Sequence, residues 1–245
     1  MIFNPPLIEA VLVQRYKRFL ADVQLVNGDL LTVHCPNPGA MLGLTEPGNR
    51  VWISDSGNPK RKLRHTLEVM EVDAPLGKTL VGINTMLPNR LAVEAIKQGY
   101  IEDLLGYSSI RREVPYGENS RIDLLLEEDG RRQCFVEIKN VHFVRKAGLH
   151  EFPDCKTARG AKHLRELAKM VAEGSRAVML YVIQRSDGDT FALADDLDAD
   201  YAVAFSEAMA AGVEALAIRC QVSAEEISAC EMVPILTQTT NTQDL

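Results

Sequence analysis

The sequence predicts an α/β protein with an N-terminal all-β domain: a small barrel of oligonucleotide-binding (OB) type at residues 1–86, then an α/β domain at 87–236. Three observations predict it. Six short runs of strand composition crowd the first 85 residues, separated by strong turn chemistry. From Pro88 onward, helical periodicity enters the pattern. The run 177–183 is apolar throughout and bounded by charge, as befits a central strand buried on both faces.

The N-terminal runs are 10–13, 19–26, 30–35, 51–54, 67–72 and 80–84. Asn27-Gly28, Pro36-Asn37-Pro38-Gly39, Pro47-Gly48, Ser56-Gly57-Asn58-Pro59 and Pro75-Leu76-Gly77 break them. Asn27-Gly28 suits a tight hairpin, because both residues tolerate positive φ. Closing a barrel removes the exposed edges such short strands would otherwise carry. In the second domain Leu91, Ala95 and Ile96 mark a helix ending near Gly99, followed by strands at 109–114, 122–126 and 134–141. A helix at 157–173 shows Leu164, Leu167, Ala168 and Val171 at i, i+3, i+4 and i+7, and Gly174 stops it. After the central strand come a helix at 200–211 stopped by Gly212 and a strand at 213–222. Ser223-Ala224-Glu225-Glu226 fits a capping box and predicts a short fourth helix. Residues 237–245 form a polar tail.

Net charge is −7 but unevenly spread: residues 1–86 carry +1, 139–185 carry +6 and 187–245 carry −11. A basic segment ahead of an acidic one leaves room for a polyanion-binding face. No apolar run approaches the roughly 20 residues of a membrane-spanning helix, so no membrane association is expected. Pro5 and Pro6, with no basic region before an apolar stretch, predict no secretory signal. The odd count of five cysteines, without a CxxC pair, argues against a disulfide framework and for a reduced, cytoplasmic protein.

The chemistry-bearing stretch is Ser120-Arg121-Ile122-Asp123-Leu124-Leu125-Leu126, a turn, then Cys134-Phe135-Val136-Glu137-Ile138-Lys139. Alternation puts Ile122, Leu124 and Leu126 on one face and Asp123 on the other. It likewise opposes Cys134, Val136 and Ile138 to Glu137 and Lys139. Burying both apolar sets fixes the parity of the hairpin register. A three-residue loop, Glu128-Asp129-Gly130, satisfies that parity and places Asp123 opposite Phe135, diagonal to Glu137. Two acids on one patch are costly unless a divalent cation joins them, and hard oxygen ligands suit Mg2+ or Mn2+. Asp123 and Glu137 are therefore the candidate metal ligands, and Asp123, Glu137 and Lys139 the candidate catalytic set of a nuclease, with Lys139 beside the attacking water. The competing reading is a surface hairpin with charges on its wet face. The cations Lys156, Arg159, Lys162 and Arg165, with His163, on or beside the next helix favour a phosphate substrate.

The chain resembles the sugar fermentation stimulation protein (SfsA) family over almost its full length. The resemblance rests on the block from Gln14 to Val23, His34-Cys35-Pro36-Asn37-Pro38-Gly39-Ala40-Met41, Tyr107-Ser108-Ser109, Ser120-Arg121-Ile122-Asp123 and Val136-Glu137-Ile138-Lys139. It continues through Phe152-Pro153-Asp154, Arg159-Gly160, the block from Lys162 to Leu167 and the block from Gly174 to Val178. It implies an OB domain joined to a domain like the PD-(D/E)xK nucleases, DNA binding without strong sequence preference, and a regulatory link to maltose and other sugar metabolism. The nuclease pattern maps onto Asp123, Glu137 and Lys139. Ile122 stands where that pattern usually has proline, and Ala158 where the family usually has glutamate.

On a barrel of this type aromatics stack bases while Arg and Lys track phosphate. Arg15, Tyr16, Lys17 and Arg18, read as part of the first strand, are thus candidate nucleic-acid contacts, as are Lys60, Arg61, Lys62 and Arg64 in a loop and Lys156, Arg159, Lys162 and His163 near the long helix. The alternative for each is a solvated charge, and for Phe19 a core position. Adjacent His34 and Cys35 face opposite sides of a strand, which argues against a nucleophile–base pair. His142, His150 and His163 lack zinc spacing. Glu94 and Glu113 are candidates for an additional acid. The leading reading is a DNA-binding protein, with RNA a second candidate partner and a homodimer a candidate assembly. The alternative is a Mg2+-dependent nuclease, and a third is a scaffold recruiting a protein through the acidic C-terminal helix.

Overall fold

The computed structural model describes residues 1–117 and 120–236. The polar tail 237–245 lies outside the described residues. Strands β1 (Ile8–Tyr16), β2 (Leu20–Leu25), β3 (Leu30–His34), β4 (Arg50–Asp55), β5 (His65–Ala74) and β6 (Gly77–Gly82) form one sheet in the order β3-β2-β1-β4-β5-β6. A parallel bridge from His34 to Thr66 joins β3 to β5 and closes the first five strands into a barrel. This is the OB architecture that the turn-rich sequence predicts. Leu12, Val23, Val33, Ile53 and Leu67 fill its interior. Fully burying each such side chain contributes about 1.5–3 kcal/mol.

The second half begins with α1 (Pro88–Gln98), whose Gly99 adopts the left-handed cap conformation at φ 83°. Strands β7 (Ser109–Tyr116), β8 (Ser120–Glu127), β9 (Cys134–Val141), β10 (Phe143–Lys146) and β11 (Gly148–Phe152) lead to α2 (Ala158–Ala172). Then follow β12 (Arg176–Ile183), β13 (Gly188–Leu193), α3 (Ala199–Ala210), β14 (Glu214–Val222), β15 (Ile227–Met232) and β16 (Ile235–Leu236). The main sheet runs β15-β14-β12-β9-β8-β7, with β9, β12 and β14 parallel. Every residue from Ala177 to Ile183 is fully buried, as a strand covered on both faces requires. Leu124, Val136, Leu180 and Ile218 pack on one face against α1 and the barrel residues Trp52 and Val69. Leu125, Phe135, Met179 and Tyr181 pack on the other against α2 and α3.

Four expectations change. The β8–β9 register pairs Leu124 with Val136, Leu125 with Phe135 and Leu126 with Cys134. The parity is as expected, but the connection is longer than three residues, so Leu125 rather than Asp123 faces Phe135. Alternation also breaks at Asp123: Ile122 joins the core of Leu125 beneath α2, apart from Leu124 and Leu126. Ser223 starts no helix. Its hydroxyl accepts the N–H groups of Glu225 and Glu226, but its own N–H donates to the Glu226 carbonyl, closing a turn from β14 into antiparallel β15. Finally, a second sheet, β10-β11-β13-β16, stands where no strands were expected.

The two halves meet through a polar seam. The Gly82 N–H donates to the Gln184 carbonyl at 2.8 Å, and the Gln184 amide donates to the Asn84 carbonyl and to Asn140. The Met41 N–H donates to Asp154 at 2.8 Å. Gly39 lies so close that a Cβ there would sit 2.9 Å from the Asp154 carboxylate.

Candidate active site

Asp123 sits where β8 and β9 part. Beyond the Leu124–Val136 pair, the Ile138 N–H donates not to a strand carbonyl but to Asp123 Oδ2 at 2.7 Å. Oδ1 accepts from Asn89 at 2.8 Å, delivered by the first turn of α1. Glu137 and Lys139 project together from β9 beneath α2. The Lys139 ammonium donates to Glu137 Oε1 at 2.7 Å, and His163 Nδ1 contacts the same oxygen. Arg159 Nε donates to His163 Nε2 at 3.3 Å, which leaves the ring proton on Nδ1 for Glu137. The wet-face reading fails here, because the Glu137 side chain is 3% exposed.

The two acids are driven apart. Burial, then the Glu137 charge, pushes Asp123 up to about 6, against the Ile138 and Asn89 hydrogen bonds. Burial pushes Glu137 up too, but the His163 hydrogen bond and Lys139 outweigh it and hold it below the ordinary range. Glu137 Oε2 is buried with no hydrogen-bond partner. An orphaned carboxylate oxygen beside a strained neighbouring acid is what a divalent cation would relieve. Among the described residues no three His, Cys, Asp or Glu side chains converge on one metal position. An ion held by Asp123 and Glu137 would complete its shell with water or other oxygens, as Mg2+ does.

Beside these residues opens a cavity of about 550 Å3, lined by Glu113, Pro115, Ser120, Arg121, Arg159, Lys162 and His163. Its cations come from the β8 entrance and from α2. Asp198 sets the start of that helix: one carboxylate oxygen caps α3 through Tyr201 N–H, and the other accepts the Thr157 N–H at 2.6 Å. Thr157 in turn caps α2 through Gly160 N–H.

Residues 86–226 match the family profile described as "Sugar fermentation stimulation protein RE domain", and residues 13–83 match "SfsA N-terminal OB domain". A sugar fermentation stimulation protein homolog of Brucella anthropi is 56% identical over 235 residues, which are 96% of this chain and 100% of that one. The Brucella ovis homolog is also 56% identical, over 96% and 97% of the two chains. The chain belongs to the sugar fermentation stimulation protein family. Its fold is that of Pyrococcus furiosus SfsA, a structure in complex with Ca2+, at a TM-score of 0.85 and 24% identity over 97% of this chain and 98% of that one.

In this SfsA family member several candidate contacts are engaged internally. Arg15 Nη2 donates to the carbonyls of Arg18, Asn37 and Gly39 at 3.0, 2.9 and 3.0 Å, tying β1 to the seam loop. The Tyr16 hydroxyl donates to Asp22. Arg64 forks onto Asp55 at 2.7 and 2.5 Å. His163 turns inward to Glu137. Its place at i, i+4 and i+7 with buried Leu167 and Met170 was the signal in the sequence. Lys17 and Arg18 lie not on the first strand but in the turn after it, both with positive φ. They are exposed, as are Lys60, Arg61, Lys62, Lys156, Arg159 and Lys162. Glu94 binds the N-terminal amine of Met1 and Arg90. Glu113 lines the cavity. Among the described residues no helix is long and apolar enough to cross a membrane.

Proposed function

We propose that this protein binds nucleic acid through its phosphate backbone and hydrolyses phosphodiester bonds at Asp123, Glu137 and Lys139 with Mg2+ or Mn2+. The observation that carries this reading is the half-buried Asp123 next to the buried Glu137, whose Oε2 has no partner among the described residues, beside a cavity walled by Arg121, Arg159 and Lys162. The Ca2+ bound by the Pyrococcus furiosus relative supports a hard-cation, oxygen-donor site. When bound, the ion acidifies water and stabilises charge on a phosphodiester oxygen. Asn89 and the Ile138 N–H aim Asp123, while His163 and Lys139 hold Glu137 ionised. The Lys139 ammonium, 2.7 Å from Glu137, can orient an incoming water and offset negative charge developing on phosphate. Arg121, Arg159 and Lys162 draw the backbone in.

Cleavage of at least one of single-stranded, duplex, branched and RNA substrates with Mg2+ or Mn2+, lost in Asp123→Ala and strongly reduced in Lys139→Ala, is the expected result. Titration calorimetry should show an ion bound by wild type and not by Asp123→Asn. A wild type that cuts none of them removes the hydrolytic half. A second reading, sequence-nonspecific DNA binding serving regulation of sugar metabolism, draws on the exposed Lys17, Arg18, Lys60, Arg61 and Lys62 of the barrel. It requires affinity to fall steeply with salt.

A further inference from the structure

We infer that Phe19 and His34 form a stacking subsite for an unpaired nucleobase, with Arg18 and Arg61 holding the flanking phosphates. The inference rests on the proposed nucleic-acid binding and adds the class of strand: single-stranded nucleic acid, or a duplex with an unpaired segment.

Phe19 is an apolar ring that the barrel leaves outside its core, 46% exposed. Local geometry puts it there. Lys17 and Arg18 both turn with positive φ, and the Phe19 carbonyl is then fixed by the Cys35 N–H at 2.9 Å. The ring lies nearly parallel to that of His34, with centroids 6.4 Å apart and planes at 23°. Leu20 pairs with His34 across β2 and β3, and the bridge from His34 to Thr66 closes the barrel, so the backbone beneath the rings is tied on both sides. Arg61 Nη2 lies 3.5 Å from His34 Nδ1. Partial burial, then the Arg61 charge, lowers the imidazole below its ordinary pKa. The ring therefore offers a neutral face at neutral pH, and the guanidinium keeps its charge for an anion.

The surroundings favour a polyanion. Among the described residues no carboxylate stands within ion-pair distance of Lys17, Arg18, Lys60, Arg61 or Lys62, whereas the barrel's Arg50 and Arg64 are both paired. Arg18 also lies close enough to act on the Cys155 thiol, one residue before Lys156 and the cations of α2. Exposed aromatic faces beside unpaired cations suit bases that are free to stack. A paired duplex base has both faces occupied and cannot use them.

The test uses the full-length protein in EDTA, with labelled oligothymidylate, an abasic oligomer of equal length and a duplex, read by fluorescence anisotropy. The abasic oligomer keeps every phosphate and removes every base. Wild type should bind oligothymidylate about ten-fold more tightly than the abasic oligomer. Phe19→Ala should erase that preference without weakening abasic binding, and Phe19→Trp should restore it. Arg61→Ala should weaken both ligands alike. Wild type that does not distinguish the two oligomers, or Phe19→Ala that keeps the preference, overturns the subsite. Absence of cleavage with this pattern intact removes only the hydrolytic reading, and cleavage without base preference removes only the subsite. If no oligomer binds at all, both fall.

Discussion

On the barrel surface Arg64 meets Asp55 at 2.5 Å; in the α/β half Lys139 meets Glu137 at 2.7 Å. The distances are nearly equal and the consequences differ. Water surrounds the first pair, screens it and would solvate either partner alone, so Asp55 is held down to about 2 with little bearing on the fold. The Glu137 side chain is only 3% exposed, so solvent does little to replace its partners. Lys139 and His163 crowd one oxygen while the other goes unpartnered, and Asp123 beside it is pushed up to about 6. The same residue types therefore make a solvated contact in one place and a buried, partly unsatisfied cluster in the other. Burial, more than separation, decides which.

The comparison can be broken most sharply at Glu137 and Asp123. Glu137→Gln and Asp123→Asn should each lower divalent-ion-dependent cleavage by about 1,000-fold or more, measured by initial rates on a labelled oligonucleotide. Lys139→Ala should cost less, about 100-fold, because it removes charge stabilisation and leaves both proposed ligands. If a surface substitution such as Arg64→Ala costs as much, burial is not what distinguishes the two pairs.

The acidity of Asp123 gives a pH test. Its folded pKa is raised, so it takes up a proton as pH falls through about 6 and, as the proposed metal ligand, would then bind an ion less well. Ion affinity by calorimetry should be full near pH 7.5 and fall progressively below pH 6. For stability the sign is opposite. Without ion, the folded state binds the proton more tightly than the unfolded chain does, so this group's contribution declines as pH rises from about 4 to about 6.

Smaller effects separate the helix that carries the cations from those cations themselves. His163→Ala leaves Glu137 with Lys139 alone and should lower stability by about 1–3 kcal/mol in denaturant titrations. Asp198→Ala removes the α3 cap and the Thr157 contact together, for about 1–2 kcal/mol. On the barrel, Lys17→Ala or Lys62→Ala should reduce the slope of log affinity against log salt by about 1 and leave thermal unfolding unchanged. Arg64→Ala should alter neither.

Much of this was legible in residue order. Turn residues announced the barrel, Gly99, Gly174 and Gly212 ended the helices, and apolar alternation fixed the parity of β8 and β9. Parity alone does not set loop length, since three- and five-residue connections satisfy it equally, and the true partner of Phe135 escaped for that reason. Ser223-Ala224-Glu225-Glu226 misled because a hydroxyl that accepts the next N–H groups serves a turn as well as a helix start. Strands β10 and β11 are short and polar, with a bulge between Val144 and Lys146, and offer no alternation to read. Asn89 carries no charge, and nothing in the residue order ties its amide to Asp123. Its amide matters only because α1 brings it across the sheet to Asp123.

The join between the halves has a consequence for ancestry. Gln184 donates across it to Asn84, and Asp154 accepts across it from Met41, so a barrel or an α/β half moved into another gene would carry polar groups stripped of these partners. Where Trp52 and Val69 pack across it, a new neighbour of similar shape would be forgiven; its polar part demands matching donors and acceptors. Recombination at this point should therefore be punished, and the two halves should travel together through evolution as a single heritable piece.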